Sequence, residues 1–171
     1  SAVNETDLDA VRMVVSPHNP HKPAGSLLPE QHRFEMVRRA LEANPDISAS
    51  DVEFALPKPS YTIDTLNHRE LRSQEPDAQF TVIMGEDNLD HLHKWKAYET
   101  LLAEYEILCY PRLSSAGGFF EQYPMIKRFE MPYLDLSATR IRHMRKIGKS
   151  VRYMVPAGAF DYLQTHNLYA E

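Results

Sequence analysis

Residues 79–98 read QFTVIMGEDNLDHLHKWKAY. Phe80 to Met84 is a short run of mostly β-branched and aromatic side chains, the composition of a strand. The run stops at Gly85, and Glu86, Asp87 and Asn88 lead into a helix-like segment. There Leu89, Leu92, Trp95 and Leu102 mark one helix or two short consecutive ones. Strand, turn and helix start together make the repeating unit of an open α/β sheet, where ligands sit in the crevice beyond the carboxyl ends of the strands. Gly85 lets the backbone approach a ligand closely and Asp87 offers two acceptors, so both are candidates for a site. The purely structural alternative is a tight turn at Gly85 with Asp87 or Asn88 as N-cap.

The same alternation continues on either side. Residues 1–9, SAVNETDLD, are polar and start the chain without an element of their own, and Ala10 to Val15 then reads as a buried strand. Pro17, Pro20 and Pro23 exclude both helix and ladder from the next stretch, which makes it a stiff, extended loop. From Pro29 to Ala43, Phe34, Val37 and Leu41 fall at helical spacing, with Pro29 suited to the first turn and Asn44-Pro45 to the stop. Val52, Phe54 and Leu56 alternate as in a strand. SYTIDTLNHREL, from Ser60, restarts a helix with Ile63, Leu66 and Leu71 on its apolar side and Ser60 or Thr62 as cap.

Beyond the central strand, Tyr105 to Tyr110 is another strand, Ser114 to Pro124 is turn-rich, and Lys127 to Leu134 is the last strand-like run. The carboxyl end is helical, from Ser137 to Lys146 and from Pro156 to His166, with Phe160 and Leu163 inward and Asn167 at the stop. Each parallel strand pair needs a crossover, and crossover helices cover the sheet. The expected fold is therefore α/β: a doubly wound, mainly parallel sheet with helices on both faces, forming a single domain over 1–171.

Composition narrows the partners. The net charge of -5 and a pI near 5.9 argue against a sequence-independent grip on nucleic acid or an anionic membrane, so a bound phosphate must be held by local cations and backbone amides. No apolar run approaches a membrane span and no signal-peptide pattern is visible. The single cysteine, Cys109, rules out a disulfide framework and a thiol zinc site, which fits a reducing, cytoplasmic setting.

Polar clusters fall where such a sheet places a site: His18, Asn19, His21 and Lys22; Tyr61, Thr62 and Asp64; Gly85, Asp87 and Asn88; Arg112; and Ser137, Thr139 and Arg142. The segment 136–142, LSATRIR, is a helix start with two hydroxyls and a cation one turn on, the ingredients of a phosphate site; a Ser or Thr N-cap before a solvated basic face is the alternative. His18 with His21, and His91 with His93, lack the partners of a metal motif, and residues two apart on a helix face different ways, so His91 and His93 are expected at the surface. Lys22 is either a site cation or a solvated loop charge, and Trp95 either core or a ligand platform. No Ser-His-Asp set, nucleophilic cysteine or G-x-x-x-x-G-K-[ST] loop is present, so covalent catalysis has no candidate.

Taken together, Pro17-His18-Asn19-Pro20-His21-Lys22, Pro59-Ser60-Tyr61-Thr62-Ile63-Asp64-Thr65-Leu66, Gly85-Glu86-Asp87-Asn88-Leu89, Trp95-Lys96-Ala97-Tyr98-Glu99 and Ser137-Ala138-Thr139-Arg140-Ile141-Arg142 resemble the bacterial nicotinate mononucleotide adenylyltransferases in order and spacing. The resemblance runs from about Asp9 to the end. It implies a Rossmann-like nucleotidyltransferase that joins ATP and nicotinate mononucleotide into the deamido dinucleotide, releases pyrophosphate and feeds NAD synthesis. It also implies roles: Ser137, Thr139 and Arg142 on the ATP phosphates, Gly85 and Asp87 near adenosine, Thr62 and Trp95 at the nicotinate ring. Lys22, with His21 and Asn19, would face the phosphates. Lys22 and Arg142 would be the catalytic cations, and Mg2+ would accompany ATP. Homo-oligomerisation is left open.

The family pattern opens with a strand, a glycine-rich turn and a G-x-F-x-P-x-H-x-G-H signature that has no counterpart in these 171 residues. The expectation is a fragment of a longer protein, with Ser1 to Asp9 following that first strand and helix. Two alternatives stay open: another adenylyltransferase of the same superfamily, acting on pantetheine phosphate or nicotinamide mononucleotide, and a non-catalytic nucleotide-binding module.

Overall fold

The computed structural model describes residues 2–18, 28–74, 76–112, 123, 125–132 and 136–170. The chain divides into two compact units, the first made of Ser1–Asp9, His18–His21 and Leu56–Tyr133, the second of Ala10–Pro17, Lys22–Ala55 and Leu134–Glu171.

The first unit holds a parallel sheet of β3 (Thr81–Gly85), β4 (Glu106–Tyr110) and β5 (Ile126–Arg128) in that order. Gly85 is paired with Tyr110, so both strands end together. Ile107, Leu108 and Cys109 are buried in succession; since neighbouring side chains point to opposite faces, both faces of β4 are covered. The unit also holds α1 (Ala2–Glu5), α3 (Thr62–Leu66), α4 (Arg69–Gln74) and α5 (Tyr98–Glu104). Ile63, Leu66, Met84, Leu89, Leu92, Leu101 and Ile107 build one core with Tyr105, Cys109 and Ile126.

The second unit pairs β1 (Val11–Val14) with β2 (Ile47–Ser50), again in parallel. Here α2 (Glu30–Leu41) packs on α7 (Ala157–Thr165), and α6 (Ala138–Lys146) precedes α7. Gly158 explains how close α2 and α7 come: a Cβ there would lie 2.4 Å from the carbonyl oxygen of Arg39. A second core forms from Tyr162, Leu163 and Leu168 with Leu28 and Met36 packed against it, and His32 Nδ1 lies 3.0 Å from the Tyr162 hydroxyl. Among the described residues, no strand of one sheet pairs with a strand of the other.

The α/β class and the parallel pairing are as expected, but several elements differ. The polar start holds one helical turn, α1, closed by the Thr6 hydroxyl donating to the Ala2 carbonyl. The strand expected at Val52–Leu56 is a 3-10 turn over Val52–Ala55; the strand is Ile47–Ser50, whose small side chains gave no alternating apolar signal. Pro29 is the N-cap of α2 rather than part of its first turn. The helix from Ser60 breaks at Asn67-His68 into α3 and α4, although Ile63, Leu66 and Leu71 are all buried as expected. Its N-cap is Tyr61 without a side-chain bond, so neither Ser60 nor Thr62 caps it; the buried Ser60 hydroxyl has no hydrogen-bond partner among the described residues. The last strand is shorter, and in α7 it is Tyr162 and Leu163 that are deeply buried while Phe160 is partly exposed. Asn167 adopts a left-handed φ of 49°, as a helix stop should.

Candidate functional site

At the ends of β3 and β4, Gly85 is kept as glycine by space. Its φ of -76° suits any residue, but a Cβ would stand 2.5 Å from Asp87 Oδ1, 3.1 Å from Arg112 Cγ and 3.3 Å from Tyr110 Cζ. Gly85 is itself the N-cap of the following helix, so Asp87 and Asn88 are not its caps. Asn88 Nδ2 donates to the Gly85 carbonyl at 3.3 Å, and Asp87 Oδ1 faces Arg112 Nε at 3.6 Å, with both side chains more than 40% exposed. Such a loose, exposed pair contributes at most about 1 kcal/mol and leaves carboxylate oxygen free for a ligand.

The helix from Glu86 to Lys94 is 3-10 throughout. Its buried residues, Glu86, Leu89 and Leu92, recur every third position, the period at which 3-10 side chains eclipse. Trp95 closes it, half-buried, with its ring packed against the first core and still partly open to solvent. Lys96 Nζ donates to both Asp64 oxygens at 2.8 and 2.7 Å and lies 5.2 Å from the Tyr61 ring centre. That pair ties the Trp95 segment to the start of α3, where Thr62 is the first residue. Thirty-two positions separate Lys96 from Asp64, so the link had no local signal in the sequence.

On α6, in the second unit, Ser137 is the N-cap and its hydroxyl accepts from the Arg140 amide at 3.2 Å. Arg142 Nη2 donates to Thr139 Oγ1 at 3.2 Å. Ser137 and Thr139 are exposed, so the capping role and access from solvent coexist. Asn19, His21 and Lys22 lie outside the described residues.

Cys109 is fully buried, and that burial, reinforced by the Glu86 carboxylate, pushes its thiol up to about 12. A thiol held neutral is no nucleophile. His91 and His93 are exposed, as expected. No group of three or more histidine, cysteine, aspartate or glutamate side chains suited to a metal occurs among the described residues. No helix among them is long and apolar enough to cross a membrane.

The cytidylyltransferase-like family model matches residues 1–144. A probable nicotinate-nucleotide adenylyltransferase of Cytophaga hutchinsonii is 43% identical over 165 residues, covering 96% of this chain and 85% of that protein. The chain belongs to this nucleotidyltransferase family. A Flavobacterium johnsoniae protein named in the same way is 42% identical over 95% of the chain and 84% of its own length. The Plasmodium falciparum nicotinic acid mononucleotide adenylyltransferase, solved with NaAD, superposes with a TM-score of 0.74 at 18% identity over 94% of this chain and 82% of its own; it shows the shared Rossmann-like fold. By this kinship the chain stands among the nicotinate-nucleotide adenylyltransferases.

Proposed function

We propose that this chain transfers the adenylyl group of ATP to nicotinate mononucleotide, giving nicotinate adenine dinucleotide and pyrophosphate, as one nucleotidyltransferase domain over 1–171 working in the cytoplasm. The observation that carries this is 43% identity sustained over 96% of the chain with a relative named for that activity. In the reaction a phosphate oxygen of the mononucleotide attacks the α-phosphorus of ATP in line. The bond to the bridging oxygen breaks, and pyrophosphate leaves with the electron pair. No enzyme nucleophile is needed, which suits a chain whose only thiol is buried and neutral.

Gly85 and Asp87 receive adenosine in this reading, supported by their place at the strand ends and by the partly exposed Asp87 carboxylate. Ser137, Thr139 and Arg142 hold the ATP phosphates at the start of α6, where amides, dipole and guanidinium favour an anion. Thr62, through its backbone, and Trp95, by stacking, take the nicotinate ring, supported by the Asp64–Lys96 pair that ties their segments together. Lys22, with His21 and Asn19, faces the phosphates from the proline-rich stretch. Together Lys22 and Arg142 offset charge developing in the transition state, and losing one such group costs about 10²- to 10³-fold in rate.

Magnesium binds through one or two carboxylates together with substrate phosphates and water, so it needs no cluster of three protein ligands of the kind that does not occur among the described residues. When bound it would neutralise phosphate charge.

The test is acceptor choice with Trp95→Ala as the probe. Wild-type protein should prefer nicotinate mononucleotide to nicotinamide mononucleotide and to phosphopantetheine. Trp95→Ala should raise the KM for the mononucleotide at least about tenfold while leaving that for ATP nearly unchanged, because stacking worth ~1–3 kcal/mol is lost at one substrate. A collapse in melting temperature with the ratio of KM values unchanged would make Trp95 core only.

A further inference from the structure

We propose that Arg33 is a positioning residue for adenylyl transfer, its single guanidinium holding the backbone on both sides of residues 19–27; the inference rests on the function proposed above. Pro17, Pro20 and Pro23 have no amide to donate, and Ser16, Pro17 and Leu28 lie outside the strands, so their carbonyls need donors from elsewhere. Arg33 supplies the donors. Its Nη1 donates to the Ser16 carbonyl at 2.6 Å, its Nη2 to the Pro17 carbonyl at 2.9 Å, and its Nε to the Leu28 carbonyl at 3.0 Å. Ser16 and Pro17 precede the stretch and Leu28 follows it. One rigid planar group therefore sets the distance between the points where the chain departs and returns. The next carbonyl, of His18, accepts from the Ser60 amide at 3.3 Å, so three successive carbonyls are fixed.

The clamp is well anchored. Arg33 lies in the first turn of α2, its amide bonded to the Pro29 carbonyl at 3.3 Å, and α2 is packed on α7. β1 does not need this side chain for its ladder, since the Val15 amide already donates to the Ser50 carbonyl at 2.9 Å. The three bonds are spent on a boundary of the segment bearing Lys22. Lysine cannot replace the fork, because an ammonium on a flexible stem has no planar set of donors to match three carbonyls.

The experiment uses the full chain with Arg33→Gln, Arg33→Lys, Lys22→Ala and the Arg33→Gln/Lys22→Ala double variant. Melting temperature, pyrophosphate release with ATP and nicotinate mononucleotide, and amide exchange over 16–28 are measured. A small misplacement of a reacting group costs up to about 10²-fold, so Arg33→Gln should lower kcat roughly 10- to 100-fold with the mononucleotide KM changed less than about threefold. Arg33→Lys should restore little of it, amide exchange should quicken over 16–28 and not elsewhere, and the double variant should be no slower than the slower single one. A fallen melting temperature with unchanged kcat, or losses that multiply in the double variant, would overturn the inference. Wild-type protein that releases no pyrophosphate would refute the proposed function instead. Exchange over 16–28 would then decide the clamp alone, with unchanged exchange in Arg33→Gln refuting it.

Discussion

Gly85 shows how a residue can be legible for the wrong reason. Its place at the end of a β-rich run marks a turn, and glycine in turns is usually explained by positive φ. Here φ is ordinary and the constraint is the Asp87 carboxylate, 2.5 Å from where a Cβ would be. Gly85→Ala should therefore displace Asp87 and raise the KM for ATP about tenfold or more, the loss of a hydrogen bond to a charged group, ~1.5–3 kcal/mol. Kinetics with ATP varied at saturating mononucleotide measures this, and an unchanged KM would detach Asp87 from adenosine. Ser137 was readable as an N-cap because the capping rule is local; Arg33 was not, because its three acceptors are set by how the chain folds back, not by neighbours in sequence.

At the scale of elements, the repeats of three at Glu86, Leu89 and Leu92 separate a 3-10 helix from an α-helix, a distinction that apolar spacing alone leaves ambiguous over nine residues. The break that follows is made by Ala97, left-handed at φ 50° and ψ 42°, which joins that helix to α5. A left-handed non-glycine residue costs ~1–2 kcal/mol, so Ala97→Gly should leave the melting temperature level or higher. Ala103→Gly, exposed in the last turn of α5, should lower it by up to the ~1 kcal/mol of ordinary helix propensity. Equal losses at both positions would contradict the left-handed assignment.

Glu35 on α2 allows a test by pH. Hydrogen bonds from Arg38 and Arg39 hold its carboxyl down to about 2, from about 4.5. A folded pKa below the unfolded one means the stabilisation is complete above about pH 4.5 and disappears as the pH falls through about 2. Glu35→Gln should melt below wild type at neutral pH, and the gap should close between pH 4.5 and 2. Because Arg38 and Arg39 are more than 40% exposed, added salt should also narrow it. A gap independent of pH would show that the cluster does not act through charge.

For the whole molecule, the α/β class followed from alternation of strand and helix patterns, and the family from five short motifs whose joint order is far more specific than any one of them. What the alternation could not convey was the grouping of strands into β1–β2 and β3–β4–β5, since pairing partners are chosen by tertiary packing. The 47–50 strand, ISAS, was hidden by its small side chains, and Val52 and Phe54 beside it imitated the missing alternation.

Adenylyl transfer from ATP to nicotinate mononucleotide is tested most directly with ATP labelled at the α-phosphorus. Incubated with the protein, magnesium and the mononucleotide, the label should appear in the deamido dinucleotide, one equivalent for each pyrophosphate released, and none should move when the mononucleotide is left out. Label that stays in ATP while both nucleotides bind, or that emerges only as AMP, would contradict it.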